Sequence, residues 1–145
     1  MNDDGELLKL ENQLCFPFYA VSRLITRRYQ PLLEELGITY PQYLVFLALW
    51  EDDGVPVQAL SDTLLLNTNT LTPLLKRLES RGLITRSRES ADERIVTVRL
   101  TGEGRKLKER ALAIPAALVE SLDYPVEELL ALRKAVKGFL RALRD

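Results

Sequence analysis

No histidine occurs in this chain of 145 residues, and cysteine, methionine and tryptophan occur once each. Without imidazole there is no His-based general base and no nitrogen-ligated metal chemistry. A Cys/His zinc site is excluded as well, because only one thiolate could contribute. A single cysteine also rules out a disulfide within the chain. No apolar run reaches the roughly 18 residues that span a bilayer, and the acidic start, Asn2 to Glu6, is unlike a positively charged signal-peptide n-region. These absences predict a cytoplasmic protein with no metal, no cofactor and no membrane partner. With 46% hydrophobic residues the chain is long enough to bury one core, and its length calls for no second large domain.

Net charge is small, a formal −1, but charge is unevenly spread. Residues 1–75 hold 4 Lys and Arg against 10 Asp and Glu, whereas residues 76–110 hold 11 against 6 and so carry a net of +5. Phosphate binding needs cations concentrated on one surface more than it needs a positive total. The pattern therefore suits a protein that meets nucleic acid with one segment and does something else with the rest.

Helical periodicity appears from Phe16 to Leu36, with Val21, Leu24, Ile25, Leu32, Leu33 and Leu36 at mixed three- and four-residue spacings. Pro17 fits the first position of that helix and Pro31 should kink it. A second helix, from about Pro41 to Glu51, is apolar on most sides. Two short helices follow, about Val57 to Leu65 and about Thr70 to Arg81, the latter with Asn67, Thr68, Asn69 and Thr70 as candidate caps. In it Leu71, Leu74, Leu75 and Leu78 fall at i, i+3, i+4 and i+7 and so face a core. Asn69, Thr72, Pro73, Lys76 and Arg77 are left facing outward, with Pro73 tolerable only in the first turn. Beyond Gly82, two β-rich runs, Leu83 to Arg88 and Ile95 to Leu100, flank a charged tip from Glu89 to Arg94. Thr101 caps a long helix to about Ile114, where Pro115 interrupts it, and a last amphipathic helix runs from about Val126 to Leu143.

Two short helices followed by a basic hairpin make a mainly α winged helix-turn-helix with a small β-hairpin wing. The second helix would enter the major groove, where the amides, hydroxyls and cations of Asn69, Thr70, Thr72, Lys76 and Arg77, with Pro73 beside them, read base edges or hold phosphates. Arg86, Arg88 and Arg94 would arm the wing. An isolated helix with two cations reads more simply as a solvated surface helix; the ordered succession of elements favours the DNA-reading interpretation.

The run LTPLLKRLESRGLITRSRESADERIVTVRLTGEG closely resembles the recognition helix and wing of the MarR family of bacterial transcription regulators, including an Asp-x-Arg wing signature at Asp92 and Arg94. The resemblance extends over nearly the whole chain. It implies that Arg94 enters the minor groove, that Asp92 braces the wing, and that first and last helices of two subunits interlock. Residues 1–37 and 101–145 then form a helical dimerisation region around a winged lobe at 38–100. The apolar stripe of Leu129, Leu130, Leu132, Val136, Phe139, Leu140 and Leu143 agrees with a homodimer, and a two-fold dimer implies a near-palindromic operator.

Cys15 lies just before Pro17, at the start of the first long helix, where unpaired N–H groups and the helix dipole favour a thiolate. Read by itself it is more simply a small buried hydrophobe. The stretch ENQLCFPFYAVSRLITRRYQPLLEELGITYPQY is similar to the organic-hydroperoxide-sensing, OhrR-type branch of that family, with matching Cys15, Tyr29 and Tyr40. The resemblance implies that Tyr29 and Tyr40 hydrogen-bond to the cysteine across the dimer and that Tyr19 joins them. Phe16, Phe18 and Leu14 would favour organic over hydrogen peroxide. Unlike branch members that carry a second cysteine, this chain would need a small cellular thiol, or over-oxidation, to complete a switch. Three other readings stay open: a repressor released by an aromatic ligand, a thiol peroxidase, and a dimer module without DNA. The absence of a Cys-x-x-Cys weighs against the second, and the basic segment against the third.

Overall fold

Side-chain caps start three of the helices in this computed structural model, which describes residues 4–89 and 91–144. Asn2, Asp3 and Ser90, assigned above to the acidic start and the wing tip, lie outside the described residues. Two compact units divide the chain at residues 112 and 113. In the first, a four-residue helix α1 (Asp4–Leu7) and a 3-10 turn (Leu10–Asn12) precede α2 (Phe16–Glu34). Cys15 is the N-cap residue of α2 and Pro17 lies in its first turn, where a missing N–H costs nothing. The helix continues through Pro31 to Glu34.

Thr39 and Gln42 form a reciprocal capping box that starts α3 (Tyr40–Glu51). Helix α3 is the centre of the unit, burying Tyr43, Val45, Phe46 and Leu49. A short strand β1 (Val55–Pro56) then leads into α4 (Val57–Leu64). Leu65, at φ 55°, turns the chain toward α5 (Thr68–Ser80), which Asn67 caps by accepting the Thr70 N–H at 2.9 Å. As the i, i+3, i+4, i+7 spacing predicts, Leu71, Leu74, Leu75 and Leu78 are the buried residues of α5. Full burial of each stabilises the unit by roughly 1.5–3 kcal/mol.

Strands β2 (Ile84–Glu89) and β3 (Asp92–Leu100) pair antiparallel with Ile84 opposite Leu100 and Arg88 opposite Val96, and β1 adds to the other edge of β3. Thr101 caps α6 (Gly102–Ala111) through the Gly104 N–H. The second unit holds α7 (Ile114–Ser121) and α8 (Val126–Arg144). No residue of α8 is buried, and Leu130, Leu132, Val136, Phe139, Leu140 and Leu143 are all exposed. No helix among the described residues is long and apolar enough to cross a membrane.

Several expectations need correction. Helix α5 begins at Thr68, not Thr70, so Pro73 is its sixth residue and stands outside the first turn. The Asn67 cap moves the start forward, and Pro73 simply withholds one N–H from the Asn69 carbonyl. The hairpin is tighter than the sequence suggests, because charged Glu89 and Asp92 pair across it after a bulge at Arg88/Glu89. Helix α6 stops at Ala111, and Pro115 lies in the first turn of α7 instead of interrupting a longer helix. Side-chain bonds join the segments on either side of 37/38 and of 100/101: Arg81 donates to the Leu36 carbonyl at 3.3 Å, and the Trp50 Nε1–H donates to the Gly104 carbonyl at 3.0 Å.

Candidate functional site

Helix α5 presents Asn69, Thr70, Pro73, Lys76 and Arg77 to solvent, with Thr72 half-buried beside them. They share a side because the four buried leucines take the other. Thr68 and Thr72 border a hollow of about 540 Å³ between α5, the start of α4 and the wing, and Arg86, Arg88 and Arg94 reach it from the hairpin. This gathers three guanidinium groups and the hydroxyl face of α5 around one concavity.

The three arginines are not equivalent. Arg94 extends with its side chain 90% exposed, aimed by Asp92, which accepts from its backbone N–H at 3.0 Å and from Nε and Nη2 at 3.2 Å each. Those hydrogen bonds, first from the guanidinium and then from the backbone, hold the Asp92 carboxyl below its usual range. Arg88 donates to the Glu93 carbonyl across the hairpin and remains exposed. Arg86, expected to arm the wing, is instead engaged by Glu79 of α5 through its backbone N–H at 3.0 Å and Nη2 at 3.1 Å, leaving its side chain 20% exposed. The Arg86 hydrogen bond lowers the Glu79 carboxyl. Arg86 thus fastens β2 to α5. Sequence reasoning missed Glu79 because no local period relates it to a residue seven positions on in a strand.

At the start of α2, Cys15 is a free, exposed thiol. Phe16, Phe18, Tyr19 and Leu14 around it are exposed as well, and Tyr19 packs 6.3 Å from the Phe16 ring with the Arg23 guanidinium 5.4 Å from its own. Tyr29 and Tyr40 stack with ring centroids 4.6 Å apart. Tyr43, which the sequence reading did not single out, completes the cluster at 5.7 Å from Tyr29 and is 3% exposed. Its spacing of three from Tyr40 along α3 was the available signal. Tyr29 lies fourteen residues beyond Cys15 on the same continuous helix, roughly 21 Å along its axis at 1.5 Å per residue. Within one chain, therefore, the cysteine and the tyrosine cluster do not meet.

Burial, reinforced by Tyr40 and Tyr43, pushes the Tyr29 phenol up to about 12, and burial likewise raises Tyr40 and Tyr43. These groups remain neutral hydrogen-bond donors well above physiological pH. A phenol that holds its proton more tightly when folded stabilises the fold fully below its unfolded value near 10, and that contribution is lost as pH rises toward 12. We expect tyrosinate absorbance to show a late ionisation near pH 12 that disappears in Tyr29→Phe, with stability falling between pH 10 and 12. A Tyr29→Phe titration superimposable on wild type contradicts this.

The family model of the SarA/Rot transcriptional regulators matches residues 27–111. The chain is 46% identical to the organic hydroperoxide resistance transcriptional regulator of Bacillus subtilis (strain 168), over 100% of its own length and 99% of the relative's. Among solved structures it is similar to reduced AbfR bound to DNA, at 38% identity and a TM-score of 0.77 over 99% of each chain. AbfR of Staphylococcus epidermidis is also known overoxidised and bound to DNA, with a TM-score of 0.76 over 97% of this chain and 98% of that one. Its disulfide-formed state gives 0.64 over 98% and 97%. Both states are likewise 38% identical to this chain.

Proposed function

Because the chain belongs to the SarA/Rot family of transcriptional regulators, winged-helix proteins of MarR type, we propose that it is a cytoplasmic, homodimeric repressor that binds near-palindromic operator DNA and releases it when an organic hydroperoxide oxidises Cys15. The observation that carries this reading is the exposed Cys15 thiol at the start of α2, in a chain 46% identical along its whole length to an organic hydroperoxide resistance regulator.

Helix α5 enters the major groove, where Asn69, Thr70, Thr72, Lys76 and Arg77 read bases and hold phosphates beside Pro73. Arg94, aimed by Asp92, reaches the adjacent minor groove, and Arg88 supports it. Arg86 acts indirectly, holding the wing to α5 through Glu79. Since Cys15 and Tyr29 are separated along one helix, the phenols of Tyr29 and Tyr40 can hydrogen-bond to the cysteine only from a second copy whose α2 runs antiparallel. The exposed Phe16, Phe18, Val21 and Leu24 of α2 and the apolar stripe of α8 supply the surface such a dimer buries. Tyr19, one turn beyond Cys15, lines the same neighbourhood.

In the chemistry, the Cys15 sulfur attacks the outer oxygen of the hydroperoxide. The O–O bond breaks, an alcohol leaves with the proton, and the sulfur becomes a sulfenic acid. A small cellular thiol then displaces hydroxide from that sulfur, giving a mixed disulfide and water. Sulfur is oxidised by two electrons and the peroxide is reduced by two. With one cysteine per chain, the thiol must come from outside it. AbfR is known overoxidised on DNA, which favours the mixed disulfide over over-oxidation as the releasing state here. Each protomer reacts once, so the protein acts as a sensor and not as an enzyme.

The test is binding to DNA from upstream of its own gene, read by fluorescence anisotropy before and after cumene hydroperoxide plus a small thiol. We expect wild type to lose more than tenfold in affinity and Cys15→Ser to lose none. Without thiol, release should be slow and incomplete. Release of both proteins would assign the signal to a small ligand, and steady-state peroxide consumption with a thiol reductant would reveal a peroxidase.

A further inference from the structure

Three successive carbonyls close the end of α2, and each is taken by a guanidinium from another helix. Arg81, the C-cap residue of α5, donates through Nη1 to the Gly37 carbonyl and through Nη2 to the Leu36 carbonyl at 3.3 Å. Arg110 of α6 donates to the Glu35 carbonyl at 2.7 Å. The contact is close: Gly37 turns at φ +68°, and a Cβ there would lie 3.0 Å from Arg81 Nη2. Two cations at the negative end of a helix dipole are favourable in themselves, but one would serve that purpose.

The position of Arg81 makes the pair more than a cap. Its own backbone N–H bonds to the Arg77 carbonyl, and just beyond it the Gly82 and Leu83 amides bond back to Glu79 and Leu78. The Gly82 carbonyl accepts the Thr101 hydroxyl at 2.6 Å, and the Leu83 carbonyl accepts the Thr101 N–H at 3.1 Å. The end of α5 is thus a rigid hub for the wing and α6. Helix α2 packs chiefly against α3, so the Arg81 fork gives the hub a direct hold on α2, the helix that carries Cys15 and Tyr29.

We infer that Arg81 is a positioning residue coupling α2 to the DNA-reading helix: DNA bound at α5 tightens the carbonyl end of α2, and by reciprocity a change along α2 alters DNA affinity. This rests on the DNA-binding reading above and is independent of the peroxide chemistry. The Leu36, Gly37 and Ile38 amides report the joint, since they bond to the Leu33 and Glu34 carbonyls in the same turn.

Amide exchange of the peptide spanning residues 33–40 is measured on the full-length protein, with and without a saturating duplex from upstream of its own gene. In wild type DNA should slow exchange about tenfold, in Arg81→Ala less than twofold, and in Arg81→Lys, which keeps the charge without the fork, by an intermediate amount. A purely structural Arg81 would instead speed exchange equally in both states and leave the DNA-induced ratio intact, which overturns the inference, as does a wild type with no DNA-dependent change. Protection of the Leu75 and Leu78 amides reports whether each variant is folded. Should Arg81→Ala unfold, Arg81→Lys and Arg81→Gln decide by the same ratio. Wild type that fails to bind the duplex in anisotropy brings down the DNA-binding reading, and the coupling with it, a result separate from binding without coupling.

Discussion

Gly104→Ala is expected to cost about 3 kcal/mol of stability, at the upper end of what overpacking does. Gly104 is the third residue of α6, and its N–H is already given to the Thr101 hydroxyl at 3.1 Å. A Cβ at this position would fall 2.1 Å from the Leu83 carbonyl oxygen and 3.2 Å from Leu100 Cδ2. The carbonyl cannot retreat easily, because the Thr101 N–H holds it at 3.1 Å. Nor can α6 back away without stretching the Trp50 bond to the Gly104 carbonyl. The melting temperature at a fixed protomer concentration should drop by roughly 10 °C. Gly102→Ala, two residues earlier in the same helix, meets nothing within 4 Å and should change stability by less than about 1 kcal/mol. Equal melting of Gly104→Ala and wild type would remove the close approach as a determinant of the fold.

Arg94→Ala should weaken operator binding by roughly 10- to 100-fold, the value of one well-placed groove contact. The side chain is 90% exposed and held on aim by a two-point carboxylate pair, so little of its effect should pass through stability. Removing one phosphate-neutralising cation also lowers the slope of log affinity against log salt by about 1. Asp92→Ala separates aim from charge. It leaves Arg94 cationic but unbraced, so the salt slope should hold while the preference for operator over random DNA falls. Titrations at about 50 to 200 mM salt on both duplexes distinguish the two variants. An Arg94→Ala protein with wild-type affinity and slope would exclude the wing from the interface. Arg86→Ala should resemble neither, since it removes the Nη2 bond to Glu79, leaves only the backbone N–H one, and so loosens the wing and disturbs binding on any sequence.

The site was legible unevenly. The outward face of α5 was accessible because a helix with leucines at i, i+3, i+4 and i+7 has only one other side to show, and the Asp92–Arg94 brace because the hairpin resembles the wing of the MarR family. Arg86 looked interchangeable with Arg88 and Arg94, all basic residues of one hairpin. Whether a guanidinium meets solvent or a carboxylate depends on what packs against the strand, and Glu79 arrives there only through the turn at Gly82. Tyr43 was hidden for a related reason: a tyrosine on an apolar helix reads as core, and it is core, but its ring also closes the cluster around Tyr29. Pro115 misled because a proline breaks a helix and begins one equally well, and the residues around Ile114 carry no distinct cap.

What the sequence by itself determined is whatever depends on near neighbours: the helices and the caps at Asn67 and Thr101, the buried face of α5, the hairpin, and the exclusion of a Cys/His zinc site and of a disulfide within the chain. Tertiary structure alone decided the pairings of groups far apart in the chain. These are Arg81 and Arg110 on the end of α2, Trp50 and Leu83 around Gly104, and Glu79 on Arg86. Spacing along a chain dictates which side of an element a residue occupies, whereas contacts between elements are set by how their sides pack, and no local period encodes that.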